Sequence, residues 1–288
     1  RDLHSFPTRR SSDLIMSNIF DMFSYSFMVR AFIVGLLISL CASLIGSSLV
    51  LKRNSMIGDG LSHVGFGAFA IATIMGFAPL EFAIPIVIIV SFFILKLNDS
   101  SKVHGDSMIA LVSSSSLAIG TFAISVTKGV NTDINNYLFG SILSINSHDV
   151  VISVILTILV ILLYILSYNK IFAITFDEKF AKSIGIKTDI YNMIFASLCS
   201  IVVVLGMRLM GSLLISSLII FPTLSSMQYF KTFKSVVISS VVISIISFSV
   251  GLTLSFVNEY PTGSTIVIIN LIIFFIFKII SLLKIRRK

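Results

Sequence analysis

Long apolar runs alternate with short polar links along most of the chain. About 20 consecutive apolar residues in a helix can cross the roughly 30 Å hydrocarbon core of a bilayer. The pattern therefore predicts an all-α fold, a polytopic bundle of eight or nine transmembrane helices. The count is eight if the two runs around Gly206 form a hairpin or one broken helix. The candidate runs are residues 31–51, 56–75, 82–95, 107–126, 150–166, 190–205, 209–224, 236–257 and 265–283.

The basic residues lie mainly in the links on one side of this arrangement. From Met16 onward, fifteen Lys and Arg residues fall on the side reached by Lys52, and three, Arg30, Lys128 and Arg208, fall on the other. Short cytoplasmic links are enriched in Lys and Arg, so the first side is predicted to be cytoplasmic. The formal net charge of +8 therefore reflects orientation in the membrane, and nucleic acid is not an expected partner.

The composition excludes a soluble protein. Hydrophobic residues make up 56% of the chain and charged residues only 12%, with a mean hydropathy of +1.05, whereas soluble domains contain about 25% charged residues. The sequence contains no Gly-x-x-x-x-Gly-Lys-Ser/Thr phosphate loop, so the chain is not expected to hydrolyse ATP or to be an enzyme. Cys41 and Cys199 lie inside apolar runs and are interpreted as small core residues.

The first fifteen residues do not resemble natural protein sequence. The run from Asp2 to Leu14 resembles the in-frame translation of a sequencing-library adapter. Residues 1–15 are therefore interpreted as a non-native leader, and residues 16–288 as a single transmembrane domain. The alternative is a short basic leader, but the stretch lacks the apolar region and the small-residue cleavage site of a signal peptide.

The candidate functional residues lie in the second predicted span. Asp59 and His63 are four residues apart, so both side chains project from one face of a helix. An ionisable group at membrane depth costs roughly 2.5–3.5 kcal/mol on insertion scales, and it usually faces a polar cavity or a partner. Small residues flank the pair and allow a close helix contact or a narrow path. They are Gly58, Gly60, Ser62, Gly65, Gly67 and Ala68.

Spacing alone leaves two interpretations of the pair open. Asp59 and His63 can simply pair with each other and stabilise the bundle. Alternatively they bind a metal ion, for which two ligands are too few to complete the coordination shell. Two copies of the chain that meet at a symmetry axis would supply two carboxylates and two imidazoles, a set suited to zinc, manganese or ferrous iron. Such binding should weaken on acidification, because a ligating histidine must be neutral and the aspartate ionised.

A second signal lies in the most charged cytoplasmic link. Asp177 can cap a short helix with Glu178 in its first turn, and Gly185 can close that helix at its C-terminal end. An amphipathic helix of this kind either lies on the membrane surface or docks in the groove of another protein, and the residues alone favour neither. The apolar residues predicted to share one side are Phe176, Phe180, Ala181 and Ile184.

Several motifs occur in order along the chain. They are Ile57-Gly-Asp-Gly-Leu-Ser-His63, Asn136-Tyr-Leu-Phe-Gly-Ser-Ile-Leu143, Phe176-Asp-Glu-Lys-Phe-Ala-Lys-Ser-Ile-Gly185, Gly211-Ser-Leu-Leu-Ile-Ser-Ser-Leu-Ile-Ile-Phe-Pro222 and Pro261-Thr-Gly-Ser-Thr265. In these motifs, and in their separations, the chain from Met16 to its end resembles the membrane permease subunits of metal-uptake ABC transporters, the zinc, manganese and iron type.

The resemblance implies an ABC-importer permease that forms a homodimer in the bacterial cytoplasmic membrane. It also implies two partners, cytoplasmic ATPase subunits and an extracytoplasmic metal-binding protein, and no permanently bound cofactor besides the transported divalent ion. Asp59 and His63 match the family's aspartate and histidine that contact the metal in its path, and residues 176–185 match the helix that docks on the ATPase. Gly60 departs from the pattern, which more often has alanine, and should loosen the helix by up to about 1 kcal/mol.

The expected function is therefore import of a divalent transition metal, driven by ATP hydrolysis in a separate subunit. One rival is a secondary cation transporter or channel that uses Asp59 and His63 without ATP, and it usually shows inverted repeats, which this sequence does not. A second rival, an intramembrane metalloenzyme, needs a third ligand and a general base, yet no other acid or histidine lies inside a predicted span. Two questions stay open, which metal is carried and whether segment 128–149 is a helix, a re-entrant loop or a lid.

Overall fold

The computed structural model of the protein describes residues 22–100, 105–127, 140 and 147–286. The predicted leader, residues 1–15, lies outside this part, and so does the outer segment 128–146 apart from Gly140. Nearly all described residues are helical, and no strand occurs among them. The helices are α1 Ser26–Leu51, α2 Met56–Met75, α3 Pro79–Ser100, α4 Gly105–Val126, α5 Ser147–Phe176, α6 Glu178–Ser183, α7 Thr188–Met210, α8 Ser212–Met227, α9 Phe233–Asn258 and α10 Thr262–Arg286.

The long helices confirm the predicted polytopic bundle. Seven of them, α1, α2, α4, α5, α7, α9 and α10, are long and apolar enough to cross a membrane. The helix α8 and the apolar part of α3 are shorter. An apolar helix therefore stands at each of the nine predicted runs, and seven of these helices are long enough to cross a membrane. The largest difference is in α5, which continues from its predicted end at residue 166 to Phe176, because polar residues end an apolar run without interrupting a helix.

The predicted boundary between the sixth and seventh spans is wrong. Gly206 lies inside α7, and the chain turns at Gly211, which has φ +84° and ψ 161°. Ile215 packs on Gly206 so closely that a Cβ there would lie 2.8 Å from its Cγ1 atom. In one continuous helix these two residues would be about 13 Å apart. The pair of helices is therefore a hairpin, which is the case in which the predicted count of spans is eight, and Gly206 is a packing glycine rather than a turn.

The helix α1 lies at the centre of the bundle and packs on α5, α7, α8 and α9. Its small residues allow close contact, as expected between helices in a membrane. Gly46 lies against the backbone of Ile219 in α8, and Ser47 Oγ is 2.8 Å from Ser240 Oγ in α9. The helices α2, α7 and α8 complete the interior. The helices α4, α5 and α10 are peripheral and expose apolar side chains.

Two ion pairs lie at opposite ends of the bundle, and each joins residues that were predicted to lie on the same side of the membrane. Lys52 pairs with Glu178 at 2.8 Å, at the end that carries α6. At the other end, Arg208 Nη2 lies 3.4 Å from Asp149 Oδ2, and both side chains are largely buried. Arg208 lies in the last turn of α7 and is not a link residue. It is at the end of the bundle opposite Lys52, the side on which it was predicted.

Candidate functional site

The two predicted ligands are the accessible positions of an otherwise buried stretch of helix. Between residues 57 and 70, every residue of α2 is buried except Asp59 and His63. Their side chains are 42% and 22% exposed, respectively. The spacing of four residues places both on the same face, as predicted. The pair therefore faces an open space at the surface of this chain, although the helix that carries it belongs to the interior.

The geometry of the pair leaves ligand atoms available. His63 Nε2 lies 3.8 Å from Asp59 Oδ2, which is too long for a hydrogen bond. The other carboxylate oxygen, Oδ1, accepts a hydrogen bond of 3.0 Å from Ser216 Oγ of α8. Two ligand atoms about 2.1 Å from one ion lie about 3.0–3.5 Å apart in tetrahedral or octahedral geometry. A small side-chain rotation would therefore let Asp59 and His63 bind the same ion.

The second imidazole nitrogen of His63 is not satisfied within this part of the chain. Nδ1 is buried and has no hydrogen-bond partner among the described residues. Buried polar atoms in native proteins nearly always have a partner, so each exception calls for a specific explanation. A metal-binding histidine usually donates its other nitrogen to a supporting group. Among the described residues the site is therefore incomplete in this respect.

Packing contacts place His63 about half way through the membrane-crossing part of the bundle, with Asp59 about one helical turn nearer the cytoplasmic end. Gly46 of α1 and Gly58 of α2 both pack on Ile219 of α8, so these two glycines lie at about the same depth. His63, five residues after Gly58, lies about 7 Å deeper, and Lys52 lies about 9 Å from Gly46 in the opposite direction. His63 is thus about 16 Å from the cytoplasmic end of α1, half of the roughly 30 Å hydrocarbon core.

Ser216 is the site residue that sequence reasoning missed. It belongs to the motif 211–222, but nothing in its spacing connects it with Asp59, which is 157 positions away. Ser216 also lines a cavity of about 410 Å³ between α8 and α10, whose walls are otherwise mainly apolar. Leu213 and Ile268 are exposed residues of that lining. The open space at the pair therefore continues along the surface formed by α8 and α10.

No third ligand of the common types joins the pair within the described ranges. A search of those residues for three or more His, Cys, Asp or Glu side chains that could hold one ion finds none. The intramembrane metalloenzyme needs at least a third protein ligand, and the described residues do not supply one.

The short cytoplasmic helix has the caps that the sequence predicts. The Asp177 side chain accepts a 2.9 Å hydrogen bond from the Phe180 backbone N–H at the start of α6. At the other end, Gly185 has φ +85°, and Ile186 N–H donates to the Ala181 carbonyl at 3.1 Å. This is the Schellman arrangement that satisfies the last carbonyls of a helix.

The apolar residues of this segment do not all share one face, contrary to the prediction. Ala181 is fully buried against the bundle. Phe180 and Ile184 are 59% and 57% exposed, and Phe176 is exposed as well. Phe180 and Ala181 are consecutive residues of α6, and successive side chains on a helix point about 100° apart, so Phe180 faces outward while Ala181 faces the bundle. The segment therefore presents three large apolar side chains outward.

Known proteins resemble this chain over nearly its whole length. A model of the ABC 3 transport family matches residues 24–281. The "Probable metal transport system membrane protein" of Thermotoga maritima is 32% identical over 259 residues, which cover 90% of this chain and 92% of that protein. The manganese import system permease protein ScaB of Streptococcus gordonii is 28% identical over 263 residues, with coverage of 91% and 94%.

A solved structure shares the fold. PsaBC from Streptococcus pneumoniae, solved in complex with Fab, contains a chain that superposes with a TM-score of 0.82 at 27% sequence identity. The match covers 91% of this chain and 95% of the matched chain. The likeness therefore includes the arrangement of the helices that position Asp59, His63 and Ser216.

Proposed function

The chain belongs to the ABC 3 transport family of multi-pass membrane permeases, and from this premise we propose that it imports a divalent transition metal with energy from ATP hydrolysed in a separate subunit. The observation that carries the proposal is the pair Asp59 and His63. These are the accessible polar positions of a buried stretch of α2, and both lie at membrane depth, with His63 about half way through the bundle. Ionisable groups at that depth are costly and mark ion or substrate paths.

In the proposed mechanism the ion binds between Asp59 Oδ2 and His63 Nε2. The Ser216 hydroxyl holds the other carboxylate oxygen and so orients the free one towards the imidazole. Binding requires a neutral His63, whereas the carboxylate compensates part of the positive charge of the ion.

We infer that two copies of the chain complete the site. The pair opens at the surface of one chain, and the described residues offer no third ligand of the common types. A symmetric dimer with this face at its axis would bring two carboxylates and two imidazoles together. The exposed apolar residues of α8 and α10 would be covered in the same contact.

Manganese is the first metal to test. ScaB is named for manganese import, and a donor set of carboxylate, hydroxyl and imidazole suits a harder ion than a set of thiolates would. Zinc and iron(II) accept the same donors, so the three ions have to be compared directly. The metal-binding protein on the outer side and the ATPase on the side of α6 are the proposed partners, as in ABC importers.

The decisive experiment is uptake of radioactive manganese, zinc and iron into vesicles that contain this chain and its ATPase. We expect ATP-dependent uptake of one metal. Asp59→Ala and His63→Ala should each lower it by more than about tenfold, since even changes outside the ligand shell cost 10–100-fold in metal affinity. Asp106→Asn is the matched control, because it removes an exposed carboxylate from the first turn of α4, a neighbour of α2.

Two outcomes would contradict the proposal. Uptake that does not depend on ATP and that follows the ion gradient would favour the secondary transporter. Full uptake in both alanine variants, in complexes that still assemble, would show that Asp59 and His63 only stabilise the bundle.

A further inference from the structure

Three side chains from three separate elements meet at the cytoplasmic end of the bundle. Lys52 Nζ lies 2.8 Å from Glu178 Oε2 and donates a 3.1 Å hydrogen bond to Asn192 Oδ1. Asn192 Nδ2 in turn donates a 2.6 Å hydrogen bond to Glu178 Oε1. Each of the three therefore contacts the other two, and we call this closed triangle the cytoplasmic joint.

The joint connects the docking segment with the helix that carries the candidate ligands. Glu178 is the first residue of α6, and Lys52 is the C-cap of α1. From Lys52 the chain passes through Arg53, which has φ +62°, and enters α2 at Met56. Asp59 then lies in the first turn of α2. Because this connection is short and contains a residue in the left-handed region, it has few conformations available. A displacement of Lys52 therefore also displaces the start of α2.

Asn192 connects the cytoplasmic joint with α7. It lies in the first turns of that helix, which packs on α2 further along, where Gly65 meets the Met207 side chain. A movement of α6 can therefore reach α2 by two routes, one through Lys52 and one through α7.

Electrostatics favour the ionised form of the joint. Burial raises the pKa of Glu178, but the hydrogen bond and charge of Lys52 and the Asn192 amide outweigh burial, so the pKa lies below its ordinary value. Both charged side chains are only partly exposed, so solvent screens the pair less than it screens a surface pair.

The surroundings of the joint leave room for movement. Two small cavities, of about 20 and 30 Å³, lie beside it, and both are lined by Lys52, Asn192 and Phe195. Each volume is enough for about one water molecule. The side chains of the joint are therefore not tightly packed on every side, and their polar contacts are the direct link between the three elements at this point.

We propose that Lys52, Glu178 and Asn192 are positioning residues that couple displacement of α6 to the position of α2, and thereby to Asp59 and His63. The proposal rests on the proposed function, because it assumes that an ATPase moves α6. It predicts that loss of the joint separates ATP hydrolysis from metal transport, since the exposed face of α6 stays intact while its link to α2 is lost.

The test measures metal ions transported per ATP hydrolysed in vesicles that contain the complete complex. We expect Lys52→Gln and Glu178→Gln to lower this ratio by about fivefold or more, the lower end of typical coupling between two sites, while ATP hydrolysis continues. The charge exchange Lys52→Glu with Glu178→Lys should restore the ratio, because the Asn192 amide can turn over and serve the exchanged partners. Lys170→Gln, an exposed position of α5, is the matched control.

The outcomes separate this inference from the proposed function. A wild-type complex without ATP-dependent uptake of any of the three metals contradicts the proposed function. A wild-type complex that transports, together with single variants whose ratio equals that of Lys170→Gln, contradicts the coupling role. If hydrolysis, transport and the melting temperature of the complex fall together, and the charge exchange does not restore the ratio, the joint is merely structural and the inference is wrong.

Discussion

At the scale of single residues, Ser216 determines how Asp59 is presented. Its hydroxyl donates to Oδ1 at 3.0 Å and also lies 3.2 Å from the Ser212 carbonyl of its own helix. The Asp59 carboxylate is thus held on one side, and its other oxygen stays 3.8 Å from His63. Groups that orient a metal ligand in this way contribute to metal affinity without touching the ion.

We expect Ser216→Ala to weaken metal binding by roughly 10–100-fold, as for other supporting residues of metal sites. The complex should keep its stability, because Ser216 is only partly buried and its loss leaves the carboxylate accessible. The measurement is the affinity of the purified complex for manganese, zinc and iron(II) in competition with a fluorescent chelator.

Ser217→Ala is the control for this variant. Ser217 is the next residue of α8 and lines the same cavity, but its hydroxyl donates to the Leu214 carbonyl within the helix. Equal metal affinity in the two variants would exclude the orienting role of Ser216.

At the scale of single elements, α6 shows how a six-residue helix is held in place. Isolated helices shorter than about 12 residues are marginal in water. Asp177 and Gly185 cap its two ends, and Ala181 is buried against the bundle. These features rigidly position an exposed apolar face, as a docking helix requires.

We expect the double variant Phe180→Ala and Ile184→Ala to lower the amount of ATPase that copurifies with the chain by about tenfold or more, since a few large side chains dominate most interfaces. Both side chains are more than half exposed, so their loss should leave the melting temperature of the isolated permease unchanged. Copurification from membranes that contain both subunits, quantified by mass spectrometry, gives the measurement.

The control replaces Phe122 with alanine, which removes an equally exposed aromatic side chain from α4, far along the chain from α6. A double variant that binds the ATPase as well as Phe122→Ala would show that α6 lies on the membrane surface instead.

At the scale of the whole molecule, the bundle has one face on which the candidate site opens. The cavity between α8 and α10 lies beside Asp59, and Leu213 and Ile268 are exposed on its walls. The described residues of a single chain leave the site without a third ligand and His63 Nδ1 without a partner. A second copy placed on this face would supply the missing ligands.

We expect Leu213→Cys to form a covalent dimer with a short bismaleimide in membranes. The two native cysteines, Cys41 and Cys199, are buried, so the introduced thiol should be the reactive one. Leu166→Cys, on the exposed surface of α5, is the control and should stay monomeric. If both variants crosslink equally, or if neither does while the complex is intact, this face is not the dimer contact.

The sequence by itself determined the features that depend on local order along the chain. Apolar run length predicts membrane helices, and the bias of Lys and Arg predicts orientation, because both follow from transfer of short segments between water and lipid. A spacing of four residues places Asp59 and His63 on one face, and the chemistry of Asp177 and Gly185 predicts the caps of α6. Each of these inferences uses single segments, or a count along the chain, and none requires knowing which helices are neighbours.

Only the tertiary structure decided the features that depend on contacts between distant segments. Ser216 reaches Asp59 across 157 positions, and Lys52 meets Asn192 across 140. The turn at Gly211 rather than at Gly206 follows from which glycine packs against Ile215. Hydropathy does not encode which helices are neighbours or which face of a buried helix stays open. These features are decided by side-chain packing between helices, because inside lipid the hydrophobic effect no longer distinguishes one apolar face from another.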